Sequence, residues 1–426
     1  MKKLCIVALL AGSSLLGHAQ KTFLHCGQLV DVKAGKILTS MTIIVDGKTI
    51  SDVRNGYVQP TPTDKLIDLK NRTVMPGLID MHVHLEGETK KGGAADRFIQ
   101  NPADIAFESL NYAKRTLLTG FTTVRDLGGS GVNIALRNAI AKGQVAGPRI
   151  FTSGKSIATT GGHADPTNGF RKDLMGDPGP REGVINGSAD AYQAVRQRYK
   201  EGSDCIKITA TGGVLSQAKD GSNAQFTEEE VKAIVGAAKD YGFKVAAHAH
   251  GAEGIKRAVR GGVNSIEHGT FLDDEGISLM KQYGTWLVPT ITAGKSTADS
   301  AKIPGYYTDI VTPKALATGP QIQATFAKAF KAGVKIAFGT DAGVFAHGKN
   351  WMEFVYMHEA GMPVIEAIQS ATVGAAELLG ASEQLGSIEK GKLADIIAVE
   401  GDPVKDVKAM GRVSFVMKEG KVFKPE

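Results

Sequence analysis

Cysteine is scarce in this sequence, which argues against a fold held together by disulfide bonds. Three cysteines occur among 426 residues, and Cys5 lies within the first 19. The other two, Cys26 and Cys205, fall in segments that the hydrophobic pattern assigns to different domains, although two cysteines can pair in an oxidising compartment. We therefore expect Cys26 and Cys205 to be two buried free thiols.

Clusters of basic residues interleaved with aromatic residues are also missing. The formal net charge is only +6, and the lysines and arginines are mixed with acidic residues along the chain. Proteins that bind nucleic acid usually concentrate positive charge in a patch or stripe. Nucleic acid is therefore not an expected partner. The sequence leaves the oligomeric state open, with a homo-oligomer among the options.

The apolar run at the N-terminus is too short for a membrane-spanning helix. It covers residues 4–16, whereas a spanning helix needs about 20 apolar residues. Two lysines precede the run and Gly17-His18-Ala19 follows it, which is typical of a cleavable secretory signal. We predict that residues 1–19 are a signal peptide, cut after Ala19. The mature protein is then expected to be periplasmic or secreted, with no membrane contact.

The two ends of the mature chain have the pattern of an antiparallel sheet. Residues 20–75 contain short runs of alternating apolar and polar side chains, such as "MTIIVDGKTISDV". Residues 386–426 repeat this pattern in "LADIIAVEGDP", which begins at residue 393, and in "VSFVMKEGKVFK". Alternation with period two indicates strands that are buried on one face. We predict one small β-sandwich domain built from both termini.

Residues 76–385 alternate short apolar strands with helical segments, which predicts an α/β fold. Eight strands are expected: "GLIDMHVH" at 77, "FTTVRDLG" at 121, "PRIFTSG" at 148, "CIKITATGG" at 205, "KVAAHAHG" at 244, "NSIEHGT" at 264, "TWLVPTIT" at 285 and "KIAFGTDAG" at 335. This order fits a (β/α)₈ TIM-like barrel, with a doubly wound open sheet as the alternative. Polar residues follow strands in both halves of this region, which favours the barrel.

Histidines and a carboxylate stand at the ends of several predicted strands. His82 and His84 are two residues apart on the first strand, so their side chains point to the same face. Such a pair alone is either a metal-binding pair or a hydrogen-bonded pair in the core. The later strand ends carry four more such residues, namely His248, His250, His268 and Asp341. Imidazole and carboxylate groups suit zinc and similar divalent ions, and the C-terminal ends of barrel strands meet at one face.

Lys207 is unexpected, because it lies within the apolar strand "CIKITATGG". A buried ammonium beside cations would be repelled and poorly solvated. Addition of CO₂ to the neutral amine would give an anionic carbamate with two oxygen ligands. Alternatively, the side chain extends along the strand and places its ammonium at the solvent-exposed rim. The residues themselves leave both interpretations open.

The order of these motifs resembles the amidohydrolase superfamily with a two-metal centre. The resemblance extends over almost the whole mature chain. Within this superfamily, the sequence is similar to the imidazolonepropionase-related branch. This branch includes Xaa-Pro and other dipeptidases, N-acyl amino acid hydrolases and ochratoxin-degrading amidohydrolases. The motifs that carry it are "VMPGLIDMHVH", "TTVRDLGG", "KITATGGV", "AAHAHG", "SIEHGT", "FGTDAG" and "GSIEKGKLADIIAVEGDP".

The resemblance implies a set of metal ligands. Two divalent ions, expected to be zinc, would be held by these six residues: His82, His84 and Asp341 on one metal, His248 and His268 on the other, and carboxylated Lys207 between them. Asp341 would in addition move the proton during catalysis. His250 and His163, which lies in "TTGGHADP" after the third strand, are expected to contact the substrate. His250 would hydrogen-bond a substrate carboxylate, and His163 would donate to the carbonyl oxygen or to the oxyanion. His347 is expected either in the pocket or in a surface loop.

The implied activity is hydrolysis of an amide bond in a small molecule. The branch acts on dipeptides or on N-acyl and aryl-acyl amino acids with a free carboxylate, and an ochratoxin-type amide of phenylalanine fits the same chemistry. A lactone or phosphotriester hydrolase with the same centre is the alternative enzyme. A metal-binding relative without activity is the alternative outside enzymes. The glycines of "TGGV" at 211–214 are expected to let the backbone approach the substrate.

Overall fold

A computed structural model describes residues 20–425 of the chain. The predicted signal peptide, residues 1–19, therefore lies outside the described residues. The predicted domain boundaries remain predictions, although the chain does pass directly from one sheet to the next, since one strand ends at Pro76 and another begins at Leu78.

The elements of this range follow one another in a mixed α/β order. The strands are β1 (Thr22–Asp31), β2 (Lys36–Asp46), β3 (Thr49–Asn55), β4 (Lys65–Pro76), β5 (Leu78–Val83), β6 (Phe121–Asp126), β7 (Arg149–Thr152), β8 (Ala158–Thr159), β9 (Val184–Ile185), β10 (Ile206–Thr209), β11 (Val245–Ala249), β12 (Ser265–His268), β13 (Trp286–Val288), β14 (Ile396–Glu400), β15 (Val413–Lys418) and β16 (Lys421–Lys424). The helices are α1 (Asp96–Ile99), α2 (Pro102–Leu118), α3 (Val132–Ala141), α4 (Lys172–Met175), α5 (Ser188–Glu201), α6 (Glu228–Asp240), α7 (Ala252–Gly261), α8 (Asp274–Tyr283), α9 (Ile291–Ala301), α10 (Val311–Lys331), α11 (Met352–Glu359), α12 (Val364–Gln369) and α13 (Ala375–Leu379).

The two ends of the described chain form one seven-stranded sheet in the order β16-β15-β14-β4-β1-β2-β3. Both termini contribute, as predicted, and hydrogen bonds join their strands into one continuous sheet. The reason is the pairing of β4, which lies parallel to β1 along residues 65–69 and 73–74 and antiparallel to β14 along residues 72–76. The N- and C-terminal strands are thereby joined edge to edge. The packing of these strands as a β-sandwich stays a prediction.

The two faces of this sheet bury different sets of side chains. Leu29 and Ile396 belong to a cluster formed within the sheet itself, together with residues from β2, β3 and β15. Their neighbours Val30 and Ile397 point the other way and join the large core of the rest of the protein. This alternation is the period-two pattern read from the sequence. One face of the terminal sheet therefore packs against the large core that contains the parallel strands.

The middle of the described chain forms two larger parallel sheets, β5-β6-β7 and β10-β11-β12-β13, and a two-stranded parallel sheet, β8-β9. The strands of the two larger sheets are the ones that bear on the prediction. These strands correspond to the first seven of the eight predicted ones. The sheets are linked by a bridge between Ile157 and Ile208. Segment 335–342 bridges β13 and β5, through Leu287–Ile336 and Val83–Ala342. Within residues 20–425, however, the assigned sheets are not closed into one eight-stranded barrel.

The predicted eighth strand is the one that departs from regular structure. The segment makes only isolated bridges, so the prediction of a strand over "KIAFGTDAG" is corrected. Two local features interrupt its ladder. The amide of Phe338 donates to the carbonyl of Ser370 instead of a neighbouring strand, and Asp341 has a left-handed backbone with φ of 61°. Even so, the Asp341 amide donates to the carbonyl of His82 at 2.7 Å, so the segment stays beside β5.

The helices that separate the parallel strands are amphipathic, as the sequence predicts. Helix α6 begins with a capping box in which the Thr227 hydroxyl accepts from the Glu230 amide and the Glu230 carboxylate accepts from the Thr227 amide. An N-cap of this kind is worth about 1 kcal/mol. Residues such as Val231, Ile234 and Val235 are buried along one face of the helix. They pack with Ile255 of α7 in the main core.

Cys26 and Cys205 are both buried and free, which confirms the predicted pair of thiols. Burial raises the pKa of each thiol to about 12. In residues 20–425, none of the helices combines the length and the apolar character needed to cross a membrane.

Candidate metal centre

The histidine pair of the first parallel strand meets Asp341 at the ends of the strands. His82 is in β5, His84 follows that strand by one residue, and Asp341 belongs to segment 335–342. The distances from Asp341 Oδ1 are 3.2 Å to His84 Nε2 and 3.5 Å to His82 Nε2. The histidine pair and Asp341, which is far from it in sequence, thus form one cluster, as predicted.

Lys207 lies in the same cluster and does not extend to the solvent. Only 4% of its surface is exposed, and its Nζ lies 3.2 Å from His82 Nε2. Burial lowers the pKa of Lys207 to about 8, although the charges of Glu267 and Asp341 act in the opposite direction. The buried position excludes the rim alternative. A lowered pKa increases the fraction of neutral amine, the form that reacts with CO₂.

The histidines of β11 and β12 complete the cluster. The ring centroids of His248 and His268 are 4.6 Å apart, and those of His82 and His268 are 5.1 Å apart. His250, which follows β11, stacks on His268 at 4.9 Å. Two overlapping groups have ligand atoms within 4.8 Å of one another, namely His248 with His250 and His268, and His82 with His268 and Asp341. Each group can hold a metal ion.

Several imidazoles are oriented by a second hydrogen bond. His268 Nδ1 lies 2.7 Å from the Thr290 hydroxyl, and His250 Nδ1 lies 2.7 Å from the Thr270 hydroxyl. His84 Nδ1 lies 3.0 Å from the carbonyl of Gly128. Such partners set the tautomer of a histidine and leave its other nitrogen for a metal. In His248 the nitrogen with a partner is Nε2 instead of Nδ1, because Nε2 lies 3.2 Å from the Gly212 carbonyl.

Glu267 and Arg125 form a buried ion pair behind His82. Arg125 Nη2 donates to Glu267 Oε1 at 2.9 Å, and Glu267 Oε2 lies 2.9 Å from His82 Nδ1. Burial raises the pKa of Glu267, but the positive charge of Arg125 and the hydrogen bond from His82 outweigh it and lower this pKa to about 2. The ionised carboxylate therefore directs His82 Nε2 toward Lys207 and Asp341.

Replacing Glu267 with glutamine is expected to weaken metal binding by about 10–100-fold, the usual effect of losing such an orienting partner. The neutral amide no longer stabilises donation from His82 Nδ1, and it leaves Arg125 without a counter-charge. Competition with a chelator measures the affinity. Glu229→Gln, on the exposed face of α6, is the control and should keep the wild-type value. An affinity of Glu267→Gln within twofold of wild type would contradict this role.

The chemistry of the cluster fits divalent metal ions. Asp341 Oδ1 is buried and has no hydrogen-bond partner of suitable geometry within the described chain, despite its short distance to His84. Burial also holds the pKa of His248 and His268 well below the usual range, and lowers that of His82 to about 4. Neutral imidazoles and an unsatisfied carboxylate oxygen are what a zinc-type ion requires of its ligands.

Backbone strain is concentrated at the same place. His268, Thr290 and Asp341 have φ values of 73°, 51° and 61°, a region that residues other than glycine seldom adopt. Each such residue costs on the order of 1–3 kcal/mol, and the surrounding structure has to compensate for it. His268 ends β12, Thr290 follows β13 by two residues, and Asp341 lies in segment 335–342 beside β5. The strained backbone positions are thus located around the candidate metal cluster.

A cavity of about 1020 Å³ opens above the cluster. All eight residues predicted for the site line it, including His163 and His250. The His163 ring stacks on His248 with a centroid separation of 4.3 Å, and its buried Nδ1 has no hydrogen-bond partner within the described chain. Burial lowers the pKa of His163 to about 3, so the ring is neutral near pH 7 and carries one N–H donor.

The glycines after β10 allow close packing within the protein, whereas their predicted approach to the substrate stays a prediction. A Cβ atom on Gly213 would lie 2.2 Å from the His163 ring, and one on Gly212 would lie 2.4 Å from the Asp220 carbonyl. These glycines therefore make room for other parts of the protein. Gly213 in particular allows His163 to lie over the cluster.

His347 occupies neither of its two predicted places. It is 3% exposed, which excludes a surface loop, and it is not part of the cavity lining. Its Nε2 lies 3.2 Å from the His84 carbonyl and 3.3 Å from that of Gly87, and its ring stacks on Tyr112. His347 thus supports the backbone that carries a metal-ligand candidate.

Two charged residues of the site were missed in the sequence. Arg125 and Glu267 lie inside the apolar strands "FTTVRDLG" and "NSIEHGT". Both are charged residues in a strand that is otherwise apolar, which is the feature that singled out Lys207. The sequence does not show that the two form a pair. Their partnership depends on β6 and β12, which belong to different sheets.

The comparisons with known proteins show that this protein is a hydrolase that acts on C–N bonds. The model of the amidohydrolase family matches residues 73–423, so the chain belongs to this family. The family and its structural neighbours imply a TIM-barrel fold. The relatives come from the branch that the motifs indicated.

Three relatives illustrate this. A solved Xaa-Pro dipeptidase with methionine bound in the active site is 54% identical, with a TM-score of 0.93 over 95% of this chain and 100% of that one. A prolidase complexed with N-methylphosphonate-L-proline is 33% identical, with a TM-score of 0.86 over 96% and 100%. Ochratoxinase from Aspergillus niger is 31% identical over 433 residues, which cover 96% of this chain and 87% of that protein.

Proposed function

We propose that this protein is a binuclear metal-dependent hydrolase that releases an amino acid from a dipeptide or an N-acyl amino acid. The convergence of six candidate ligands at one cavity carries the proposal. The similarity to an Xaa-Pro dipeptidase and to a prolidase supports a substrate with a peptide-like amide and a free carboxylate. Dipeptides are therefore the first substrates to test.

The proposed ligands are the six residues expected from the motifs, with carboxylated Lys207 between the two sites. We propose that the parallel strands close into a barrel through segment 335–342, which brings Asp341 beside His82. Two bound divalent ions, zinc in this proposal, would lower the pKa of the attacking water and polarise the scissile carbonyl. His250 lies within the same group of ligand atoms as His248. We assign His248 to the metal and His250 to the substrate.

The protein's own residues then move protons and stabilise charge. Asp341 would accept a proton from the attacking water and return it to the amine leaving group. His163 would donate its N–H to the oxygen that becomes negative during the attack. His250, held by Thr270, would donate to a polar group of the substrate. These roles need only side chains that already line the cavity.

A substrate panel tests the proposal. The metal-loaded protein is assayed with Xaa-Pro and other dipeptides, N-acyl amino acids, a lactone and a phosphotriester. Hydrolysis of the amides with about two metal ions per chain is expected. A preference for the lactone or the phosphotriester would indicate that the same metal centre hydrolyses an ester bond instead of an amide bond. Bound metal without any hydrolysis would point to a non-catalytic relative.

Ochratoxin A is a second candidate substrate. It is an aryl amide of phenylalanine, so its scissile bond and free carboxylate are those of the proposed substrate class. The similarity to ochratoxinase over nearly the whole described chain favours it. Its turnover is compared with that of a dipeptide ending in phenylalanine, and the higher kcat/KM shows which acyl group the cavity prefers.

His163→Ala is expected to reduce kcat/KM for the best amide substrate by about 10²–10³-fold, as loss of an oxyanion donor does. The matched control is His358→Ala, because His358 is exposed and lies outside the cavity lining. The control should retain wild-type kinetics. A kcat/KM of His163→Ala within threefold of wild type would exclude His163 from the oxyanion site.

We also propose that the protein is exported, because residues 1–19 have the pattern of a signal peptide. N-terminal sequencing of the protein from the producing cell tests this. A mature chain beginning at Gln20 is expected, and a chain that retains Met1 would contradict export by this route.

A further inference from the structure

We propose that Glu353, a buried carboxylate on helix α11, is a positioning residue that orients His268 through Thr290. This inference rests on the proposed role of His268 as a metal ligand, and it adds the group that holds the hydrogen-bond partner of His268 in place. Glu353 is fully buried and is not part of the cavity lining. It therefore acts on the candidate metal centre only through other residues.

The first argument is that Glu353 caps a helix to which it does not belong. Helix α9 begins at Ile291, and the first amides of a helix have no partner within the helix itself. The Ile291 amide donates to Glu353 Oε1 at 2.8 Å, and the Thr292 amide donates to Oε2 at 2.8 Å. The Thr292 hydroxyl donates to the same Oε2 at 2.6 Å. One carboxylate of α11 thus fixes the first turn of α9.

The second argument is that this cap makes the Thr290 hydroxyl available to His268. A threonine directly before a helix normally accepts a hydrogen bond from an amide of the first turn. Thr290 precedes α9, but its backbone is left-handed, with φ of 51°, and its side chain makes no capping bond in the described chain. Its hydroxyl instead lies 2.7 Å from His268 Nδ1. Because Glu353 caps the helix, the Thr290 hydroxyl can hold the imidazole.

The third argument is that hydrogen bonds hold Thr290 from both sides. Its own amide donates to the Gly339 carbonyl at 3.1 Å, and the two residues that follow it are bound by Glu353. A left-handed threonine is strained and persists only where the surrounding structure fixes it. Without the Glu353 carboxylate, we expect the backbone of Thr290 to relax and its hydroxyl to move away from His268.

The chemical nature of Glu353 also indicates a specific role. Within residues 20–425 it makes no ion pair, and burial raises its pKa to about 8, although the hydrogen bonds from Thr292 and Ile291 act in the opposite direction. An apolar side chain would avoid the cost of desolvating a carboxylate, but it could not accept from these donors. The carboxylate is thus suited to holding this one turn.

The start of α11 is itself fixed behind the metal cluster. Asn350, three residues before Glu353, donates from Nδ2 to Asp80 Oδ2 at 2.8 Å. Asp80 also accepts from the His82 amide at 3.1 Å and from the Thr340 hydroxyl at 2.6 Å. The segment that carries Glu353 is therefore tied to β5, the strand of His82. As a result, Glu353 holds α9 in a fixed position relative to another metal-ligand candidate.

The orientation of His268 is measured on the full chain before metal is added, so that neither metal binding nor hydrolysis is required. Two-bond ¹H–¹⁵N spectra of ¹⁵N-histidine-labelled protein report the tautomer of each imidazole, and His268→Gln assigns the signal. Wild type should carry the proton on Nδ1, the nitrogen beside Thr290. Glu353→Gln replaces an acceptor oxygen with a donor at constant size, so the His268 signal should shift toward a mixture of tautomers. Glu359→Gln, at the exposed end of α11, is the control and should match wild type.

A double-mutant cycle on zinc affinity shows whether Glu353 acts through Thr290. In competition with a chelator, Glu353→Gln is expected to weaken one bound zinc ion by about 10-fold, the size of effect seen on loss of an orienting partner. Thr290→Val, which removes the hydroxyl at constant size, should weaken the same ion at least as much. Because both changes disturb one hydrogen bond to His268, the double variant should stay within about threefold of Thr290→Val. Met417→Ala, which loses packing within the terminal sheet, controls for a general loss of stability and should keep the affinity.

Several results would overturn this inference. They are a wild type without the Nδ1 proton, an unchanged His268 signal or zinc affinity in Glu353→Gln, and effects of Glu353→Gln and Thr290→Val that multiply in the double variant. If Glu353→Gln does not fold, Thr292→Val is used, because it removes only the hydroxyl donor to Glu353. A smaller shift of the His268 signal is then expected, and an unchanged signal overturns the inference. If Glu353 controls His268 but the protein cleaves no amide, the inference stands and the proposed function fails.

Discussion

Asp341→Asn should lower kcat for amide hydrolysis by about 10²–10⁴-fold, because asparagine keeps the size of the side chain but cannot accept a proton. The buried Oδ1 of Asp341 has no suitable hydrogen-bond donor within the described chain, and it lies within 3.5 Å of both His82 and His84. Asp341 is therefore placed to bind a metal ion and to accept a proton from the reacting water. Steady-state kinetics with the best substrate of the panel measures the effect.

The cause of this loss has to be separated from unfolding. The melting temperature and the metal content of Asp341→Asn are measured beside the kinetics, and Asp299→Asn serves as the control because Asp299 lies on the exposed surface of α9. Retention of more than a tenth of the wild-type activity by Asp341→Asn would refute the proton-transfer role. A variant that folds but loses one metal ion would assign Asp341 mainly to metal binding.

Lys207→Met should have an effect of similar size, on the order of 10³-fold in kcat/KM, because a metal ion contributes several kcal/mol to stabilising the transition state. Methionine fills the same buried space but cannot form a carbamate. The metal content is expected to fall below the two ions per chain of the wild type. Elemental analysis and kinetics are measured on the same samples.

The carbamate itself is observed with ¹³C-labelled bicarbonate. A carbamate signal is expected in the NMR spectrum of the wild type and should disappear in Lys207→Met. Lys418→Met is the matched control, since Lys418 is also buried but contacts the Gly147 carbonyl and lies outside the cavity lining. If Lys207→Met binds two metal ions and keeps full activity, Lys207 is not a metal ligand.

The candidate site could be predicted because its residues stand out against their surroundings. A histidine pair with period two, and polar residues after short apolar strands, are local patterns that need no knowledge of contacts. The rule that parallel strands bring their C-terminal ends to one face then predicts that these residues meet. The structure places all eight predicted residues at one cavity. Their individual roles stay predictions.

The partners of these residues could not be predicted in the same way. Glu267 and Arg125 were visible as charges in apolar strands, but their pairing behind His82 joins β12 to β6 and β5.

The amino-acid sequence by itself determined which segments are strands and helices, that both termini build one β-rich unit, and which side chains carry the chemistry. These follow from periodicity and residue type, which act over a few neighbouring positions. Only the tertiary structure decided that the terminal strands join edge to edge, that segment 335–342 makes isolated bridges instead of a regular strand, and that His347 supports the backbone of His84 and Gly87. Each of these depends on hydrogen bonds between residues far apart in the chain, which local patterns do not encode.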